Sequence, residues 1–106
     1  MKKTILFGGS GFMGPHVLSF NPEIISIGRT KPPPWVTNQH IQLDSLDNLE
    51  ILNSIDFDKV IFMIGNSNHH EINTGKINAF DYNVIPLKKI LHFLKDKKIK
   101  QFMAFT

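Results

Sequence analysis

One run constrains this chain more than any other. Gly8-Gly9-Ser10-Gly11-Phe12-Met13-Gly14 puts glycines at 8, 11 and 14, directly after the apolar run Thr4-Ile5-Leu6-Phe7. The run Thr4–Phe7 reads as a strand, and a helix is predicted from near Phe12 to Phe20, where Asn21-Pro22 stops it. A strand, a glycine turn and a helix in immediate succession need glycine for separate reasons. The turn at Gly8 needs a permissive backbone. A side chain at Gly11 would hold a pyrophosphate away, and Gly14 lets the helix lie close to the first strand. The N–H groups at the helix start then face an anion. Pro15 is tolerated because first-turn N–H groups have no intrahelical partner. A flexible turn would also tolerate glycines, but the flanking strand and helix favour a phosphate cradle. No Gly-Lys-Ser/Thr follows, which argues against a P-loop nucleotidase.

The rest of the chain alternates in the same manner. Strands are predicted at Ile24–Ile27, His40–Leu43, Lys59–Ile64 and Gln101–Phe105. Leu46, Leu49, Leu52 and Ile55 mark a short amphipathic helix, and Phe80, Val84, Leu87, Leu91 and Leu94 mark a long one. Pro86 should kink that long helix around Tyr82–Asn83. The order β-α-β-β-α-β-α-β implies an α/β fold: a doubly wound parallel sheet, order 3-2-1-4-5, in three layers α/β/α. Its ligand crevice should lie beyond the C-terminal ends of strands 1 and 4. Thr30 to Asn38, with Pro32-Pro33-Pro34, reads as an exposed connection.

Composition narrows the function classes. With 106 residues there is room for one domain, and 42% hydrophobic against 20% charged is globular. No apolar run is long enough to span a bilayer, and the N-terminal one stops at glycines, too early for a signal peptide. The absence of cysteine excludes disulfides, thiolate metal sites and cysteine nucleophiles, so a cytoplasmic protein is expected. The net charge of +3 resides in Lys95, Lys97, Lys98 and Lys100 around Asp96. That cluster sits where the long helix ends and complements its dipole. With one arginine and no aromatic-interleaved basic patch, nucleic acid is not an expected partner. His69-His70-Glu71 lacks a further ligand set, so no metal site is expected. Lys88-Lys89 reads as a solvated helix face, and Trp35 as either a satellite contact or part of an adenine-side wall.

These residues resemble a family. Gly8–Gly14, with an aromatic after the second of its spaced glycines, is similar to the Gly-x-x-Gly-x-x-Gly variant of the extended or atypical short-chain dehydrogenase/reductases. That group is the NAD-dependent epimerase/dehydratases, and the likeness is to their N-terminal Rossmann portion. Leu43-Asp44-Ser45-Leu46-Asp47 resembles the acidic segment that contacts adenine in the family. Val60 to Gly65 resembles the fourth strand, whose end, here Ile64 and Gly65, lines the adenosine side. Asn83-Val84 resembles an Asn-Val pair whose asparagine supports a proton relay, although Pro86-Leu87 stands where glycine and threonine are usual. Ile99 to Met103 resembles the approach to strand 5. The resemblance implies an NAD(P)-binding domain over residues 1–106.

The end of strand 2 bears on cofactor choice. NAD-binding proteins usually place an acid about 20 residues after the first glycine. Here Gly28 is followed by Arg29-Thr30-Lys31, with no carboxylate. Arg29, helped by Thr30 or Lys31, can pair with a ribose 2′-phosphate, which favours NADP over NAD. The other reading is an arginine on a solvated loop. Asp44 likewise has two readings, a ligand contact or the N-cap of the next helix. Asn83 is either the relay support or an exposed helix residue.

The family's chemistry uses a Tyr-x-x-x-Lys pair, whose lysine lowers the tyrosine pKa. The one tyrosine, Tyr82, has Pro86 four residues on. The sequence stops at Thr106, so the expectation is a domain truncated after strand 5. The favoured reading is the dinucleotide-binding part of an epimerase, dehydratase or reductase, acting when complete on a nucleotide sugar or a similar carbonyl or alcohol. The alternatives are a non-catalytic dinucleotide-binding or redox-sensing module, and an unrelated flavin-binding or interaction domain. An edge strand 5 carrying Phe102, Met103 and Phe105 predicts self-association through it or the long helix.

Overall fold

The computed structural model describes residues 2–11, 13–63 and 85–105. Five parallel strands form one sheet in the order β3-β2-β1-β4-β5, as the winding rules require. They are β1 (Lys3–Phe7), β2 (Ile25–Gly28), β3 (His40–Gln42), β4 (Phe57–Phe62) and β5 (Gln101–Ala104). Helix α1 (Gly14–Phe20) follows β1, a 3-10 helix (Leu46–Ser54) follows β3, and α2 (Ile85–Leu94) precedes β5. The doubly wound α/β architecture matches the sequence reading.

Alternation along the strands sorts the core into two layers. Ile5 and Phe7, Ile25 and Ile27, and Val60 and Phe62 meet Leu49 and Leu52 of the 3-10 helix and Ile90 and Leu94 of α2. On the other face Leu6 and Ile61 meet Leu18 of α1 and Ile24. Ile5, Leu6, Leu18, Ile27, Leu52 and Ile90 are all fully buried. Each such side chain contributes about 1.5–3 kcal/mol of burial free energy. The central strands therefore hold the sheet, and their C-terminal ends are fixed points for whatever follows them.

Several boundaries differ from the sequence reading. Helix α1 starts at Gly14 and not near Phe12, because Met13 is its N-cap and makes no side-chain capping bond. Strand β4 starts at Phe57, two residues earlier than its apolar run, and its register against β1 shifts between Lys3 and Thr4. Asp58 breaks the apolar pattern there, yet its carbonyl accepts a hydrogen bond from Lys100 N. The Leu46–Ile55 repeat forms a 3-10 helix kinked at Asn48. Its three-residue spacing is the 3-10 period itself, so one apolar stripe stays on the core. Pro86 is the second residue of α2. The expected kink at 82–83 and residues 80–84 lie outside the described residues, as do Ile64, Gly65, His69, His70 and Glu71.

Edge strands β3 and β5 close the sheet. On β5 Met103 is 38% exposed, and Phe105 beyond it is 48% exposed. Lys89 is not merely solvated, because its ammonium reaches Asp47 of the 3-10 helix at 3.1 Å. No described helix is long and apolar enough to cross a membrane.

Candidate functional site

A cleft of about 520 Å³ opens at the C-terminal ends of the strands. Its wall is assembled from the segments that leave them. Phe7 ends β1 and Gly8–Gly11 follow it, Gly28 ends β2 and Arg29–Thr30 follow it, Leu43–Leu46 follow β3, and Met63 follows β4. Pro86 of α2 completes it. This is the switch point where neighbouring connections run to opposite faces of the sheet. A smaller hollow of about 150 Å³ lies at the other end of β1, around Lys2–Thr4, Asn21 and Glu23. It lies on the side of the sheet away from the glycine loop.

Four glycines of the loop have four different reasons. Gly8 has a φ of 96°, which side chains rarely adopt. A Cβ on Gly9 would stand 2.8 Å from Leu18 Cδ1 and 2.9 Å from Ser26 Oγ. A Cβ on Gly14 would collide with the Gly8 carbonyl oxygen and lie 2.6 Å from Gly9 Cα. Gly14 thus packs α1 against the loop leaving β1. Gly11 is different. Among the described residues a Cβ there would meet only the Gly8 carbonyl oxygen, at an ordinary 3.5 Å, and Gly11 lines the cleft. Gly28, also in the cleft wall, would have no described residue within 4 Å of its Cβ.

The tight back of the loop is supported from below. Ser26, buried on the α1 side of β2, shares a 2.9 Å hydrogen bond with His40 Nδ1 on the neighbouring strand. The sequence marks Gly9 as part of the phosphate loop but not its packing against Leu18 and Ser26, which are distant along the chain.

The adenosine-side candidates are held by β3. Gln42 Nε2 donates to the Arg29 carbonyl oxygen at 2.6 Å and to Asp44 Oδ1 at 2.7 Å. Leu43 N donates to the Gly28 carbonyl at 2.9 Å. The capping alternative for Asp44 is not what the structure shows. Ser45 is the N-cap, and its Oγ accepts from Asp47 N at 3.1 Å. Asp44 therefore presents an exposed carboxylate to the cleft.

Of the residues singled out from sequence, Gly8, Gly9, Ser10, Gly11, Arg29, Thr30, Asp44 and Ser45 come together in one wall. Met13 and Lys31 do not join it. Met13 caps α1 beyond the turn, and Lys31 begins the proline run that crosses to α1, where Trp35 packs on His16 at 5.6 Å between ring centroids. Trp35 thus makes the satellite contact, and it does not line the cleft among the described residues. Gly14 lies behind the loop. Phe12, Ile64, Gly65 and Asn83 lie outside the described residues. Phe7, Leu46, Met63 and Pro86 were not marked as wall residues by sequence, for an apolar residue at an element's end carries no signal of facing a cleft.

The geometry can be set beside solved structures. A UDP-glucose 4-epimerase from Brucella ovis in complex with NAD superposes with a TM-score of 0.80 at 14% identity, over 98% of this chain and 35% of that one. L-threonine dehydrogenase from Clostridium difficile gives 0.76 at 21%, over 97% and 36%. The Bordetella bronchiseptica enzyme WbmF in complex with NAD+ gives 0.70 at 16%, over 97% and 35%. The chain shares their fold. It spans about a third of the length of these proteins. No protein-family profile matches the sequence. No curated protein sequence matches it either.

Proposed function

We propose that the cleft binds a dinucleotide, with its pyrophosphate on Gly8–Gly11, its adenine toward Asp44 and its adenosine ribose beside Arg29. The observation that carries this is Gly11. Its backbone needs no positive φ and, among the described residues, its missing Cβ would meet only the Gly8 carbonyl oxygen, which leaves room for a ligand beside it. Gly28 supports the same reading. The cleft volume and its polar rim suit a nucleotide. When bound, a nicotinamide nucleotide supplies hydride transfer. This chain's residues bind and orient it.

NADP is the proposed nucleotide over NAD. Arg29 and Thr30 stand in the wall after β2, and the segment Gly28–Lys31 itself carries no carboxylate, which suits a 2′-phosphate. The NAD-containing neighbours have the same fold at low identity, and the proposal of NADP rests on the residues after β2 instead. Titration of the chain with both nucleotides by calorimetry tests it. Tighter NADP is expected, tighter NAD overturns the preference, and binding of neither overturns the site.

The wider proposal is a short-chain dehydrogenase/reductase of the epimerase/dehydratase kind, of which residues 1–106 form the nucleotide-binding domain. Nucleotide sugars or similar carbonyl and alcohol compounds are its proposed substrates. UDP-glucose 4-epimerase and L-threonine dehydrogenase among the fold neighbours support that class. Edge strand β5, with Met103 and Phe105 exposed, is the proposed surface of self-association, and light scattering showing a monomer would overturn this. The cysteine-free sequence makes no demand on an oxidising compartment, and the cytoplasm is the proposed location.

A further inference from the structure

The geometry points to Gln42 as the residue that positions the adenosine end of the cleft and so governs discrimination of the ribose 2′-phosphate. The inference rests on the dinucleotide reading above. Gln42 closes β3, paired in register with Gly28 at the end of β2. Its side-chain amide nitrogen carries two hydrogens, and the two acceptors at 2.6 and 2.7 Å match that number. One acceptor is the main-chain carbonyl of Arg29, and the other is the carboxylate of Asp44. A single amide thereby ties the loop after β2 to the loop after β3, across the rim of the cleft.

The two bonds have different consequences. The bond to the Arg29 carbonyl fixes the direction in which the main chain leaves β2, and with it the origin of the guanidinium. The bond to Asp44 holds one carboxylate oxygen against the protein and turns the carboxylate toward a fixed place in the cleft. Arg29 and Asp44 are both exposed, so packing does not hold them. Without Gln42 each would sample many positions, and a bound nucleotide would have to order them. Arg29 meets the 2′-phosphate, which NAD lacks, whereas Asp44 meets the adenine common to both nucleotides. Loss of Gln42 therefore weakens both, and NADP more.

Calorimetric titration of the chain with NADP and NAD, and with 2′,5′-ADP and 5′-AMP, tests this. Gln42→Ala should weaken NADP about tenfold and NAD about threefold, so that the preference narrows. Gln42→Glu has no donor and puts a second carboxylate beside Asp44, so it should narrow the preference further. The same narrowing should appear between 2′,5′-ADP and 5′-AMP. Both variants should melt within about 2 °C of the parent, because Gln42 is exposed on an edge strand. Equal weakening of all the ligands, or none, would show a merely structural role and overturn the inference while leaving the dinucleotide site standing. A parent chain that binds neither nucleotide overturns both.

Discussion

The two sides of the glycine loop obey different constraints. On its back, Gly9 and Gly14 are pressed against Leu18, Ser26 and the loop's own backbone. On its cleft side, Gly11 and Gly28 have little or nothing near them among the described residues. The same residue type thus marks two situations, one where the protein packs on itself and one where it borders the cleft proposed to hold a dinucleotide. On the proposed reading the back serves stability and the cleft side serves binding. Substitutions should separate the two.

The largest effect belongs to the back. Gly14→Ala puts a methyl group into the Gly8 carbonyl and the Gly9 backbone. The cost of overpacking, about 2–3 kcal/mol, exceeds the gain of about 1 kcal/mol in helix propensity. Urea unfolding should show that net loss, and an unchanged midpoint would break the comparison. The next effect lies on the cleft side. Gly11→Ala should alter stability by less than about 0.5 kcal/mol, yet weaken dinucleotide binding about tenfold or more. Calorimetry on a variant with a normal melt reads this directly. If Gly11→Ala unfolds the chain, the two sides are not distinct.

The smallest effect sharpens the comparison at the rim. The Lys89 hydrogen bond and charge, with a weaker contribution from Ser45, hold the Asp47 carboxyl below the ordinary aspartate value. A lowered native pKa contributes stability that is present above the unfolded-state value and is lost as pH falls through the native one. Asp47→Asn should therefore flatten the acid side of the stability profile, with little change in binding near neutral pH. Both side chains are exposed, so the change is small. Unfolding midpoints from pH 2 to 6 would show it, and identical acid profiles for parent and variant would remove the ion pair from the account.

Much of the fold was legible along the chain. The strand order follows from alternating apolar runs and the handedness of crossovers, both local or general rules. The cleft was legible to the same degree, since Gly8, Gly11, Arg29 and Asp44 leave consecutive strands whose ends must converge. What escaped depended on neighbours far apart in sequence. The choice of Ser45 and not Asp44 as N-cap depends on where the 3-10 helix begins, and adjacent polar residues give no local sign of that. Trp35 became a partner of His16 only because the proline run crosses to α1.

Adjacent residues alone dictate that a strand ends at the glycine run and a helix opens after it, because backbone freedom and periodicity are local properties. The sequence by itself also determined that no acid stands after β2. The tertiary structure decided which glycines face protein and which face the cleft. It also decided that the Gln42 amide lies between the Arg29 carbonyl and the Asp44 carboxylate. The reason is geometric. Contacts across a parallel sheet join residues separated by whole crossovers, and their distances exist only after the strands have paired.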